Sequence, residues 1–83
     1  MTGKHYNWHR AWRRDDSGHL LHQTGLRVLV RLGDAGSAAL VTEGDSLRAF
    51  ADSEQARGVP SHHLKERLQR LLREASQWHQ RNP

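Results

Sequence analysis

The apolar residues of this chain change their spacing near Asp45, and that change limits the available folds more than any other feature of the sequence. Ahead of it they alternate. In the run Leu26-Arg27-Val28-Leu29-Val30-Arg31-Leu32, the residues Leu26, Val28, Val30 and Leu32 share one side, with Arg27 and Arg31 on the other. Behind it they recur every three or four positions, as Leu64, Leu68, Leu71, Leu72, Ala75 and Trp78. A period of two suits a half-buried strand and a period near 3.6 an amphipathic helix. The expected class is therefore α+β. A small three- or four-stranded antiparallel sheet from the N-terminal half is packed by a C-terminal α-helical hairpin, in the order β-β-β-α-α.

Residues 5–14, rich in aromatics, read as the first strand, with Tyr6, Trp8, Arg10, Trp12 and Arg14 on one face. Asp15-Asp16-Ser17-Gly18 supplies turn chemistry for a hairpin. The chain then runs from His19 to Leu32 as one strand bent at Gly25 or as two short strands. Gly33-Asp34-Ala35-Gly36 forms the next turn, and Ser37 to Val41 the next strand. The first helix starts between Thr42 and Ser46; Thr42 with Asp45 has capping-box spacing, and Asp45 or Ser46 suits a cap alone. Its apolar stripe is Leu47, Phe50, Ala51 and the stem of Glu54, and Gly58 sits where a left-handed C-cap residue belongs. Ser61 is read as the N-cap of a second helix over residues 62–79, supported by a Glu66–Arg70 pair four apart.

The length, 83 residues, allows one domain, with the sheet over 5–43, the helices over 45–80, and fraying expected at 1–4 and 81–83. There is no cysteine, which removes disulfides, thiolate chemistry and cysteine-based zinc sites together. No run approaches the ~20 apolar residues of a membrane span, and the N-terminus lacks the apolar core of a signal peptide, so a cytoplasmic protein without a membrane partner is expected.

The chain is basic, +4 overall, and unevenly so: residues 1–33 carry +4, residues 34–58 carry −3, and residues 59–83 carry +3. Eleven arginines stand against two lysines, and the planar guanidinium fork suits phosphate recognition. Two basic segments flanking an acidic one fit a polyanionic partner, or an acidic first helix complementing its basic neighbours within the fold.

Other chemistries find less footing. The seven histidines show no spacing that converges on one metal ion and are read as solvated; His5 and His9, for instance, would lie roughly 13 Å apart on a strand. No Ser or Thr sits in a glycine elbow, and Asp15-Asp16 lie in a turn, so no catalytic residue, cofactor or metal site is expected, and the chain is read as non-enzymatic. Gly58-Val59-Pro60-Ser61 followed by Leu64 and Leu68 has the outline of a helix-turn-helix corner, except that Glu54 stands where a small residue is usual. Trp8 and Trp12 are read as core, with base stacking beside arginine as the alternative.

The expected function is thus a small binding module whose preferred partner is nucleic acid. Lys65, Arg67, Arg70 and Arg73 on the second helix would neutralise phosphates together with Arg13, Arg14, Arg27 and Arg31 from the sheet. The alternative is a protein–protein adaptor or inhibitor using an apolar strip of the helical hairpin, and a homodimer would cover the same strip.

Overall fold

The computed structural model describes residues 8–32 and 38–82. Four short strands form an antiparallel sheet in sequence order: β1 (Trp12–Arg14), β2 (Leu20–His22), β3 (Arg27–Leu32) and β4 (Ala38–Thr42). Two helices follow, α1 (Gly44–Ala56) and α2 (Leu64–Arg81). The expected α+β arrangement is observed, with four strands and with Gly25 dividing two of them.

The register places Trp12 opposite His22, Leu20 opposite Val28, and Val30 opposite Leu40. Because side chains alternate along a strand, these residues share the inner face, on which both helices pack. Trp12, Leu20, Leu26 and Val28 are buried there together with Phe50 of α1 and Leu71 and Ala75 of α2. Leu64, Leu68, Leu72 and Trp78 complete the stripe, half-buried against this core. The 3.6-residue spacing read from the sequence is thus the contact line of α2.

Two hairpins of the same build join β1 to β2 and β2 to β3. In the first, Asp15 Oδ1 accepts the amides of Ser17 and His19 at 2.9 and 3.0 Å, and Gly18 closes the turn with φ +85°. In the second, His22 takes the place of the aspartate: its Nδ1 accepts the amide of Thr24 at 3.2 Å, and Gly25 closes the turn with φ +100°. Left-handed φ costs a non-glycine residue roughly 1–2 kcal/mol, so both positions favour glycine.

Several local expectations need correction. Residues Trp8–Ala11 form a 3₁₀ turn, so only Trp12–Arg14 is extended, and Trp8 and Arg10 do not share a strand face with Trp12. The chain cannot pair earlier, because the partner strand ends at His22, opposite Trp12. No side chain caps α1; Glu43 is its N-cap, while Ser46, in the first turn, is buried and accepts the Arg27 amide at 2.9 Å, tying the helix start to β3. Gly58, φ +88°, does end α1: its amide donates to Gln55 O and that of Val59 to Glu54 O, the two bonds of a Schellman motif. Ser61 lies inside a 3₁₀ turn, Ser61–His63, rather than capping with its side chain. The α2 helix runs to Arg81, and just beyond it the Asn82 carbonyl accepts from the Arg14 guanidinium while its side-chain amide donates to Trp78 O at 3.0 Å. The start of the expected first strand (5–7), the turn at Gly33–Gly36 and Ser37 lie outside the described residues.

Candidate nucleic-acid interface

The register separates the arginines singled out from the sequence. Arg13, Arg27 and Arg31 alternate with the inner-facing residues and so belong to the outer face of the sheet, the side away from the helices. Arg14 lies on the inner face. Lys65, Arg67, Arg70 and Arg73 stand on α2, with the sheet between them and the outer-face group. The eight residues do not form one surface.

Several are already engaged. Arg27 donates to Asp15 Oδ2 through Nε at 2.8 Å and to Glu43 Oε2 through Nη1 at 2.5 Å. Those bonds hold the Asp15 carboxyl below the usual carboxylate range and raise the guanidinium's own proton affinity. Arg14 donates to Gly18 O at 2.9 Å, meets His79 Nδ1 at 3.3 Å and lies 5.5 Å from the Trp78 ring centre. Both arginines hold the fold together.

On α2 the arrangement differs. Residues three apart are neighbours on a helix, so Arg67, Arg70 and Arg73 form a continuous row. They line an open cleft of about 590 Å³ with Val59, His63, Glu66 and Gln69. No Glu66–Arg70 ion pair forms among the described residues, which leaves Arg70 and Arg73 exposed without a carboxylate partner. Lys65 is also exposed, but about 140° around the helix from Arg70, and does not line the cleft.

Behind this row sits a buried polar centre that the sequence reading assigned no role. Glu54, on the apolar side of α1, has no exposed surface. Its Oε1 accepts from Arg67 Nε at 3.2 Å and Nη2 at 2.9 Å, while Arg57 Nη1 stands 3.7 Å from Oε2. Facing these charges is His22, only 4% exposed and tilted against Trp12 with ring centres 4.7 Å apart. The expectation that the histidines are solvated fails here. It fails also for His19, whose Nδ1 accepts the Val30 amide at 3.0 Å. A backbone amide can only donate, so the Thr24–His22 bond leaves Nδ1 unprotonated and puts the neutral ring's proton on Nε2. Nε2 and Glu54 Oε2 are both buried without a hydrogen-bond partner among the described residues.

Burial pushes the His22 pKa down to about 4, with Arg67 and Arg57 adding to the effect and Glu54 opposing it. The ring is neutral at pH 7. Since the unfolded chain titrates near 6.5, the folded state loses stability as pH falls from 6.5 to about 4, by roughly 3 kcal/mol at most. His22→Asn keeps an acceptor for the Thr24 amide and removes the titration. Urea midpoints across pH 7.5 to 3.5 should therefore fall less steeply for the variant than for the parent; parallel profiles would show that His22 does not titrate as described.

A cavity of about 370 Å³ opens beside this centre, walled by His22, Gln23, Arg57, Arg67, Arg70, Leu71 and Glu74, so Arg67 and Arg70 belong to both recesses. The Glu74 carboxylate accepts from the Trp12 indole at 3.3 Å. Tryptophan is not presented as a stacking platform: Trp12 is 4% exposed, and Trp8 packs on the core under the Arg81 guanidinium, 5.7 Å from its ring centre. The α2 apolar stripe packs against the core, with Leu64, Leu68, Leu72 and Trp78 only partly buried; Val41 of β4, 43% exposed, is the large apolar side chain open to solvent among the described residues. Nor, among those residues, do three His, Asp or Glu side chains converge as metal ligands, and no helix is long and apolar enough to cross a membrane. Comparison with known proteins finds no matching family model, curated protein or solved structure.

Proposed function

We propose that the protein is a non-enzymatic nucleic-acid-binding module whose interface is the α2 cleft. The observation that carries this reading is the row Arg67, Arg70 and Arg73, which lines one open recess while Arg70 and Arg73 make no ion pair among the described residues. Arginine forks exposed on a helix reach phosphate oxygens, and such contacts position a protein on nucleic acid without specifying sequence. Arg57, 59% exposed at the end of α1, extends the same basic surface. Arg67 contributes less, since its fork is committed to Glu54. The outer-face arginines Arg13 and Arg31 point away from this surface and are not needed by it.

Binding through about three phosphates gives a log–log salt slope of roughly −3 on duplex. Fluorescence anisotropy with a labelled mixed-sequence duplex and the matching single strand, read at several salt concentrations, measures it. The Arg70→Ala, Arg73→Ala double variant should lower the slope by about 2 while leaving the fold intact, because both side chains are exposed. Absence of binding at low salt for both probes would end the proposal.

A further inference from the structure

We infer that the 370 Å³ cavity is a seat for a single phosphate group, formed by Arg57, Arg67, Arg70 and the imidazole of His22. This deepens the nucleic-acid reading and rests on it for the source of the phosphate, a phosphomonoester at a strand end. Its size falls in the lower part of the range for small-ligand sites, about 300–1,000 Å³.

The wall carries three guanidiniums against one carboxylate, that of Glu74, which the Trp12 indole N–H already engages. Glu54 lies behind Arg67 and takes up that one charge. Arg57 stands 3.7 Å from Glu54 Oε2, too far for a hydrogen bond, and is largely exposed, so its fork is free to turn toward a ligand. Arg70 makes no ion pair among the described residues.

The independent sign of a ligand is His22. It is 4% exposed and lines the cavity, and its Nε2 has no acceptor among the described residues. Its second-turn geometry fixes that nitrogen as a donor. A buried donor left unmatched costs about 1–3 kcal/mol, and an anion supplies the missing acceptor. A phosphomonoester, with three terminal oxygens, can accept from an imidazole and two forks at once; a carboxylate has only two oxygens. Nε2 is itself covered, so contact with the ligand requires a side chain of the wall to shift.

The test uses the full chain with four probes: inorganic phosphate, a nucleoside monophosphate, and one oligonucleotide with and without a 5′-phosphate. Titration is followed by the ¹⁵N and ¹H resonances of the His22 ring. Both small probes should move the His22 Nε2 resonance, and the phosphorylated oligonucleotide should bind about tenfold more tightly than its unphosphorylated twin. Arg57→Ala and Arg70→Ala should each weaken the phosphate response about tenfold, the loss expected for one charge-assisted bond. If neither phosphate probe moves the His22 resonance and both oligonucleotides bind alike, the seat is overturned while the cleft reading stands. If the small phosphates bind and neither oligonucleotide does, the seat stands as a small-molecule site and the nucleic-acid reading falls.

Discussion

Replacing Arg67 with alanine is expected to cost roughly 3 kcal/mol, enough to unfold a large fraction of a domain this small at physiological temperature. The reason is the carboxylate left behind. Glu54 has no exposed surface, and Arg67 supplies both of the hydrogen bonds it receives. After the substitution Arg57 is the one cation left in an ion pair with it among the described residues, 3.7 Å away and mostly in water. Breaking a buried pair from one side generally costs about 3–5 kcal/mol; the lower end applies because Arg57 can move closer. The reverse truncation, Glu54→Ala, should cost less, since Arg67 is 31% exposed and can turn its fork to solvent. Replacing both with methionine should bring stability back to within about 1 kcal/mol of the parent, because two apolar side chains of similar volume need no partners. Urea unfolding of the two single variants and the double variant measures all three; a cycle with no coupling between the positions would show that the pair does not act as a unit.

Gly25→Ala is the second substitution with a large expected cost, roughly 2–4 kcal/mol. Two effects coincide. The backbone there has φ +100°, and a methyl group added at this position would lie 2.9 Å from the Ala49 Cβ. The second hairpin presses directly on α1, and neither a turn nor a helix backbone gives way easily. Gly18 in the first hairpin is the internal control: φ is +85° but nothing lies within 4 Å of the added methyl. Gly18→Ala should therefore cost only the conformational part, about 1–2 kcal/mol. Combining Gly25→Ala with Ala49→Gly should recover the steric part and leave the conformational part. Equal urea midpoints for the two single glycine variants would mean that the approach of the hairpin to α1 carries no energy.

The architecture was legible because burial forces period on sequence: the alternation of Leu26 to Leu32 and the leucine row of α2 have few other uses in a chain with so little apolar content. Where aromatics alone argued for a strand, at Trp8–Ala11, the reading failed, since extension there depended on a partner that stops at His22. The buried centre was half visible. A glutamate at position 54 falls four residues after Phe50 and seven after Leu47, on the wrong side of an amphipathic helix, and a charge in such a place implies a counter-charge. Which arginine answers it depends on how α2 lies against α1, and no local pattern contains that. His22 carried a second overlooked signal. Asp15-Asp16-Ser17-Gly18 and His22-Gln23-Thr24-Gly25 are the same turn written twice, with an acceptor side chain first and glycine fourth. For Arg14 and Arg27 a local pattern suggests a ligand for a partner, since the groups they bond within the chain, Gly18, Asn82, Asp15 and Glu43, come from other elements of the fold.

Every strand of the meander pairs with the one beside it in sequence, so the sheet grows by short-range steps that need little loop closure. The remaining link is of another scale. The Trp78 indole reaches the His9 carbonyl across 69 positions, and Arg14 reaches the Asn82 carbonyl across 68. Joining points so distant costs roughly 4 kcal/mol in chain entropy, which these polar bonds, the Trp12–Glu74 bond and the packing of Leu71, Ala75 and Trp78 on the sheet must together exceed. The molecule is thus built like a buckle strap: the tail of α2 fastens over the front edge of the sheet, and loosening it releases the His9–Arg14 segment and the Trp78–Asn82 segment as one.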